Sequence, residues 1–83
     1  MEKLLVEIRV PILSKSFDCF IPEDVQIKKV LDLVEKAVRE LSGGLFIPDG
    51  GTVLCSGESG KVLDINQSAN EQGIQNGSQL MLI

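Results

Sequence analysis

The fold of this chain is decided by residues 27–41, IKKVLDLVEKAVREL, which carry the pattern of an amphipathic helix. At about 100° per residue, the apolar side chains fall within an arc of about 120°, the stripe of a half-buried helix. The apolar positions are Ile27, Val30, Leu31, Val34, Ala37, Val38 and Leu41. Gly43-Gly44 suits the left-handed conformation that ends many helices. One helix of about four turns cannot bury this stripe alone, so a sheet must lie opposite it.

Two alternating runs before the helix predict a β-hairpin. In residues 4–10 one face carries Leu4, Val6, Ile8 and Val10, and the other carries Leu5, Glu7 and Arg9. In residues 17–21 the inward positions are Phe17, Cys19 and Ile21, and the outward positions are Asp18 and Phe20. Pro11 and Pro22 cannot donate to a ladder and end the two strands. Residues 13–16 are expected to form the turn between them.

Three short strands are predicted after the helix, at residues 52–56, 61–65 and 79–83, with a tight reversal at 57–60. The polar segment 66–78 has one clear apolar anchor, Ile74. The order β-β-α-β-β-β allows the last strand to pair parallel to the first, with the helix in the crossover. We therefore expect one α+β domain over residues 1–83, a β-grasp with a mixed sheet of four or five strands. Its predicted core contains Val6, Ile8, Phe17, Val30, Val34 and Leu80.

Two segments carry a family resemblance: Ile21-Pro22 followed by IKKVLD at residues 27–32, and the Gly-Ile-x-Asn-Gly-x-x-Leu pattern of residues 73–80. Together with LCSG at residues 54–57, they resemble ubiquitin-like proteins, and most closely the YukD/EsaB family of bacterial type VII (WXG100) secretion. Taken without the resemblance, the pattern of residues 73–80 is a loop in which Gly73 and Gly77 adopt positive φ and Ile74 fills the core.

The resemblance implies a cytoplasmic accessory factor that binds protein partners, among them components of a type VII secretion machinery, as a monomer or weak homo-oligomer. An unrelated ubiquitin-like adaptor or enzyme-complex subunit stays open as the alternative. Sulfur and small-group carriers of this fold act through a flexible Gly-Gly tail. Because this sequence stops at Leu82-Ile83, inside the predicted last strand, we expect no conjugation through its C-terminus.

Catalysis is not expected, because the chain has no His, the commonest general base. Cys19 and Cys55 are too few and too far apart for a zinc or iron–sulfur site, and Cys19 alternates with apolar residues as a buried side chain does. Residues 57–61, Gly-Glu-Ser-Gly-Lys, lack the spacing of a phosphate-binding loop and its following helix. We predict no enzyme activity, no cofactor and no metal.

The charge distribution argues against two classes of partner. The net charge is −4, and residues 42–83 hold only Lys61 as a cation. Nucleic acid and anionic membrane surfaces both require clustered Lys and Arg, so neither is expected. No apolar run approaches the roughly 20 residues that cross a bilayer, and residues 1–5 lack the apolar core of a secretory signal. A cytoplasmic protein with reduced thiols is the expectation.

The outward face of the sheet is the predicted protein-binding surface, because exposed apolar groups that adjoin one another mark interfaces. Its apolar members are predicted to be Leu5, Phe20, Leu54, Met81 and Ile83. The competing interpretation is that the strand register is assigned wrongly or that the 45–51 connection covers part of this face, and single exposed apolar residues are normal in any protein. Lys28 and Lys29 are interpreted as a solvated helix surface.

Overall fold

The computed structural model describes residues 2–83, so Met1 of the predicted domain lies outside the described residues. The strands are β1 (Lys3–Val10), β2 (Lys15–Pro22), β3 (Leu54–Ser56) and β4 (Gln79–Leu82). The helix α1 spans Ile27–Leu41, and 3₁₀-helical turns occupy Pro11–Leu13 and Asn70–Gln72. The strands form one sheet in the order β2-β1-β4-β3. β1 and β4 are parallel, and the other two pairings are antiparallel.

The helix has the bounds that its apolar periodicity predicts. Ile27, Val30, Val34 and Val38 are buried, whereas Leu41, at the end of the predicted stripe, is 56% exposed. The first amides of α1 have partners outside the helix, since Ile27 and Lys28 donate to carbonyls of the 65–67 segment. At the other end Gly43 and Gly44 have φ of 68° and 87°, which confirms the left-handed cap.

The hairpin has the predicted register, with Leu4 opposite Ile21, Val6 opposite Cys19 and Ile8 opposite Phe17. Pairing continues to Val10 and Lys15, so the turn comprises residues 11–14 and not the predicted residues 13–16. The 3₁₀-helical turn after Val10 leads to Ser14, whose φ of 53° reverses the chain.

The core lies between α1 and the inner face of the sheet. Of the predicted core residues, Val6, Ile8, Val30, Val34 and Leu80 are almost completely buried. Phe17 packs against this cluster but is half-buried, because β2 is an edge strand. Phe46, Leu63, Ala69 and Ile74, which lie outside the helix and strands, also belong to the cluster.

The strand predicted at residues 61–65 is wrong. Its only ladder contact within residues 2–83 is a single bridge between Val62 and Cys55. After this bridge the backbone forms hydrogen bonds outside the sheet. The Asp64 N–H donates to Oε1 of Gln72, and the Ile65 carbonyl accepts from the N–H of Lys28. The molecule is therefore a β-grasp with a mixed four-stranded sheet and one α-helix across one face.

Candidate protein-binding surfaces

Leu54 does not belong to the outward face, and this prediction is wrong. The residue is 2% exposed and packs in the core, opposite Leu82 of β4. Cys55, opposite Met81, takes the outward position in β3. The run Val53-Leu54-Cys55 is apolar throughout, so alternation alone cannot decide which residue points inward, and a shift of one residue reverses both faces.

Leu5 and Phe20 form an exposed apolar pair on the outward face, where the sequence places them. They lie directly opposite each other in the β1–β2 ladder and are 39% and 64% exposed. The N–H and C=O of Leu5 both bond toward the β4 side, to Asn76 and Gly77. The pair therefore occupies a non-hydrogen-bonded site of the hairpin, where opposing side chains approach most closely.

A polar row separates this pair from Met81. Asp18 lies opposite Glu7 across the hairpin, and Gln79 lies beside Glu7 on β4. Met81, half-buried, comes one row further, next to Arg9 and Cys55. The predicted face is thus not one apolar patch. The Leu5–Phe20 pair stands alone at one end, and two facing carboxylates, which repel each other, occupy the middle.

The two thiols lie on different faces of the sheet, and both are free. Cys19 is half-buried beside the core, and burial raises the pKa of its thiol. Cys55 is buried outside the helix–sheet cluster, on the opposite face. A raised pKa disfavours the thiolate, which is the nucleophilic form of cysteine, so Cys19 has the character of a packing residue.

An apolar opening lies at one end of the molecule, beside the 45–51 segment that the sequence analysis treated as a connection. This end groove has a volume of about 570 Å³ and is bounded by three segments. Pro11–Leu13, residues 45–52 and Leu82-Ile83 contribute its lining. Ile12 and Ile47 are 84% and 74% exposed, and Leu45 and Ile83 are more than half exposed. Ile83 therefore belongs to this groove and not to the Leu5–Phe20 pair.

The sequence contained a signal for the groove in Leu45-Phe46-Ile47, three consecutive apolar residues. Only Phe46 is buried, and its N–H donates to Oγ of Ser42 at 3.1 Å. With Phe46 turned inward, Leu45 and Ile47 on either side are left in water. A run of this kind outside a helix or strand indicates an exposed apolar surface.

Carboxylates lie beside the end groove on the helix side. Asp49 is part of its lining. Burial raises the pKa of Glu35, and the nearby Asp32 and Asp49 carboxylates raise it further. Arg9 and Lys15 line a separate opening that shares Pro11 with the end groove. The charged side chain among the residues that line the end groove itself is Asp49.

Two further kinds of feature, a metal-binding cluster and a membrane-spanning helix, were sought in residues 2–83. No group of three or more His, Cys, Asp or Glu side chains within residues 2–83 is placed to hold a metal ion. None of the helices in that range has both the length and the apolar character that a bilayer crossing requires.

The comparison with protein families shows which family the chain belongs to. The model of the WXG100 protein secretion system protein YukD matches residues 5–82. The chain belongs to the YukD family. This family match and the fold together make it a ubiquitin-like domain associated with type VII secretion. No curated protein matches the chain.

Solved structures similar to this YukD-family chain include two ubiquitin-like domains of mycobacterial type VII secretion proteins. The EccD1 domain of Mycobacterium tuberculosis is 21% identical, with a TM-score of 0.78 and coverage of 100% of this chain and 99% of that one. The EccD5 domain of Mycobacterium xenopi is 23% identical, with a TM-score of 0.74 and coverage of 100% and 94%. A chain of an ESX-5 inner membrane complex matches at 19% identity and a TM-score of 0.73, and 21% of that chain is covered.

Proposed function

We propose that this YukD-family chain is a non-catalytic protein-interaction module, a cytoplasmic accessory factor that binds a component of a type VII secretion machinery. Membership of a WXG100 secretion family supports the proposed role in type VII secretion. The likeness to part of a chain in the ESX-5 inner membrane complex supports a protein of the machinery as the partner.

The exposed Leu5–Phe20 pair is the structural feature that best supports a role in protein binding. Both side chains project away from the core, so the fold does not need their apolar character. Removing apolar area from water contributes about 25 cal/mol per Å², and aromatic residues are enriched where protein partners make contact. Arg9 and Met81, further along the same face, extend the surface that a partner would cover.

The backbone of residues 82–83 is held in the sheet. Ile83 and Val53 exchange two backbone hydrogen bonds, of 2.7 and 3.0 Å. These bonds prolong the β3–β4 ladder, which suits a role in which the folded domain itself binds a partner.

Complementation of a deletion strain tests the proposal. The native host, deleted for this gene, is supplied with the wild-type chain, with Phe20→Thr or with Leu33→Gln, and export of a WXG100 substrate is measured. Leu33 is a matched control because it is half exposed but lies on α1, away from the outward face. Phe20→Thr should abolish complementation at unchanged cellular levels of the protein, and Leu33→Gln should preserve it. Full export with Phe20→Thr would refute the proposed surface, and normal export in the deletion strain would refute the proposed function.

A further inference from the structure

We propose that the end groove is the docking site for an extended apolar peptide segment that carries Lys or Arg and belongs to another protein. The inference rests on the proposed function only in taking a protein as the partner. It concerns a different surface from the Leu5–Phe20 pair. Four large aliphatic side chains reach solvent in this groove: Ile12, Leu45, Ile47 and Ile83.

The backbone beside these side chains favours an extended peptide as the occupant. Within residues 2–83, the N–H groups of Ile47, Asp49, Gly50 and Thr52 donate to no protein acceptor. In the same part of the chain, no carbonyl of residues 45–52 accepts a backbone hydrogen bond. An extended peptide satisfies such groups through its own main chain while its alternate side chains enter the apolar groove.

The same free backbone groups exclude a lipid surface as the occupant. Hydrocarbon offers no partner to an N–H or C=O, so burying this segment in a bilayer would leave each of these groups unsatisfied. The Asp49 carboxylate in the lining would be repelled by anionic headgroups as well. A peptide supplies both the apolar side chains and the hydrogen-bonding partners.

The charges near the groove select a basic peptide. Asp49 lies in the lining, and its carboxylate acts together with Asp32 on Glu35, which places negative charge from both the connection and α1 on this side. A Lys or Arg next to the apolar residues of the peptide would pair with these carboxylates. A second copy of this chain is less suitable, because its net charge is also −4.

A random 12-residue peptide library displayed on phage is the probe that tests the inference. The library is selected on the purified chain and, in parallel, on the double variant Ile12→Ser/Ile47→Ser. Both side chains are mostly in solvent, so the double variant should keep the fold, and its melting transition checks this. Peptides enriched on the wild-type chain should combine apolar residues with Lys or Arg and should not be enriched on the double variant. They should shift the amide resonances of residue 47 and of residues 49–52.

Single-charge variants then test the electrostatic part. Asp49→Asn keeps the oxygen that accepts the Gly51 N–H, at 2.9 Å, but removes the charge. It should weaken the binding of an enriched synthetic peptide roughly two- to fivefold, as expected for one exposed ion pair. Asp24→Asn, at an exposed carboxylate outside the groove, is the control and should have no effect.

Four outcomes of the peptide experiments would overturn the inference. They are the absence of enriched peptides, enrichment without an excess of Lys and Arg, equal enrichment on the double variant, and amide shifts confined to the outward sheet face. Sedimentation would also overturn it if the chain self-associates and the double variant does not, since a second copy would then occupy the groove. Binding to phosphatidylcholine–phosphatidylglycerol vesicles that the double variant loses would assign the groove to lipid instead. Phe20→Thr should leave peptide binding unchanged. The peptide experiments can therefore contradict the proposed groove without contradicting the proposed function, and the export assay can contradict the proposed function without contradicting the groove.

Discussion

The side-chain oxygen of Asn76 accepts a hydrogen bond from the backbone N–H of Leu5 at 2.8 Å. Gly77 donates to the Leu5 carbonyl at the same distance. Residues 76 and 77 thereby continue the β1–β4 pairing, whose ladder begins only at Glu7 and Gln79. The Gly-Ile-x-Asn-Gly pattern of the sequence thus has a structural role, with Gly73 and Gly77 at positive φ and Ile74 buried.

Asn76→Ala should therefore destabilise the fold, because it removes the acceptor that the Leu5 N–H uses. A typical intramolecular hydrogen bond contributes about 1 kcal/mol, and we expect a loss of that order in the free energy of unfolding, measured by urea denaturation. Asn70→Ala is the control, since the Asn70 side chain is exposed and makes no hydrogen bond within residues 2–83. Equal effects of the two substitutions would show that the Asn76 contact does not stabilise the sheet.

Leu54→Asp should unfold the domain. The substitution places an unpaired charge where a side chain 2% exposed packs between the sheet and α1, and burying an unpaired charge is severely destabilising. Leu33→Asp, on the exposed side of α1, should leave a cooperative melt in circular dichroism. A folded Leu54→Asp chain would mean that Leu54 faces outward, as the sequence analysis predicted, and that the β3 register described above is incorrect.

The elements predicted from sequence are those whose periodicity runs longest. The eight residues of β1 alternate regularly, and α1 repeats its apolar positions over fifteen residues. The sequence therefore determines which face of each element is buried. The strand at 54–56 has only three residues and begins within the apolar run Val53-Leu54-Cys55, which leaves its register undetermined, and residues 61–65 form no strand. The end groove was missed for another reason: it forms where Pro11–Leu13, residues 45–52 and Leu82-Ile83 meet, and only the folded chain brings them together.

Glu35→Gln should stabilise the domain at neutral pH. The pKa of Glu35 is raised in the folded protein by burial and by Asp32 and Asp49, so the folded state holds its proton more tightly than the unfolded state does. The stability from this protonation is complete below the unfolded pKa, about 4.3, and is lost as the pH rises through the folded value. The variant should therefore exceed the wild type in melting temperature at pH 7, and the gap should shrink below about pH 4. Glu40→Gln, at an exposed helix residue next to Arg39, is the control. An equal gain in melting temperature with Glu40→Gln would show that the raised pKa of Glu35 is not the cause of the stabilisation.

Site-specific photo-crosslinking in the native host tests the central claim most directly. A benzophenone amino acid replaces Phe20 in one strain and Leu33 in another, and the irradiated adducts are identified by mass spectrometry. Both positions are exposed, but only position 20 lies on the outward sheet face beside Leu5. The account predicts an adduct from position 20 to a protein of the type VII secretion machinery and none from position 33. Adducts from position 20 only to proteins unrelated to secretion, or adducts to the machinery only from position 33, would contradict it.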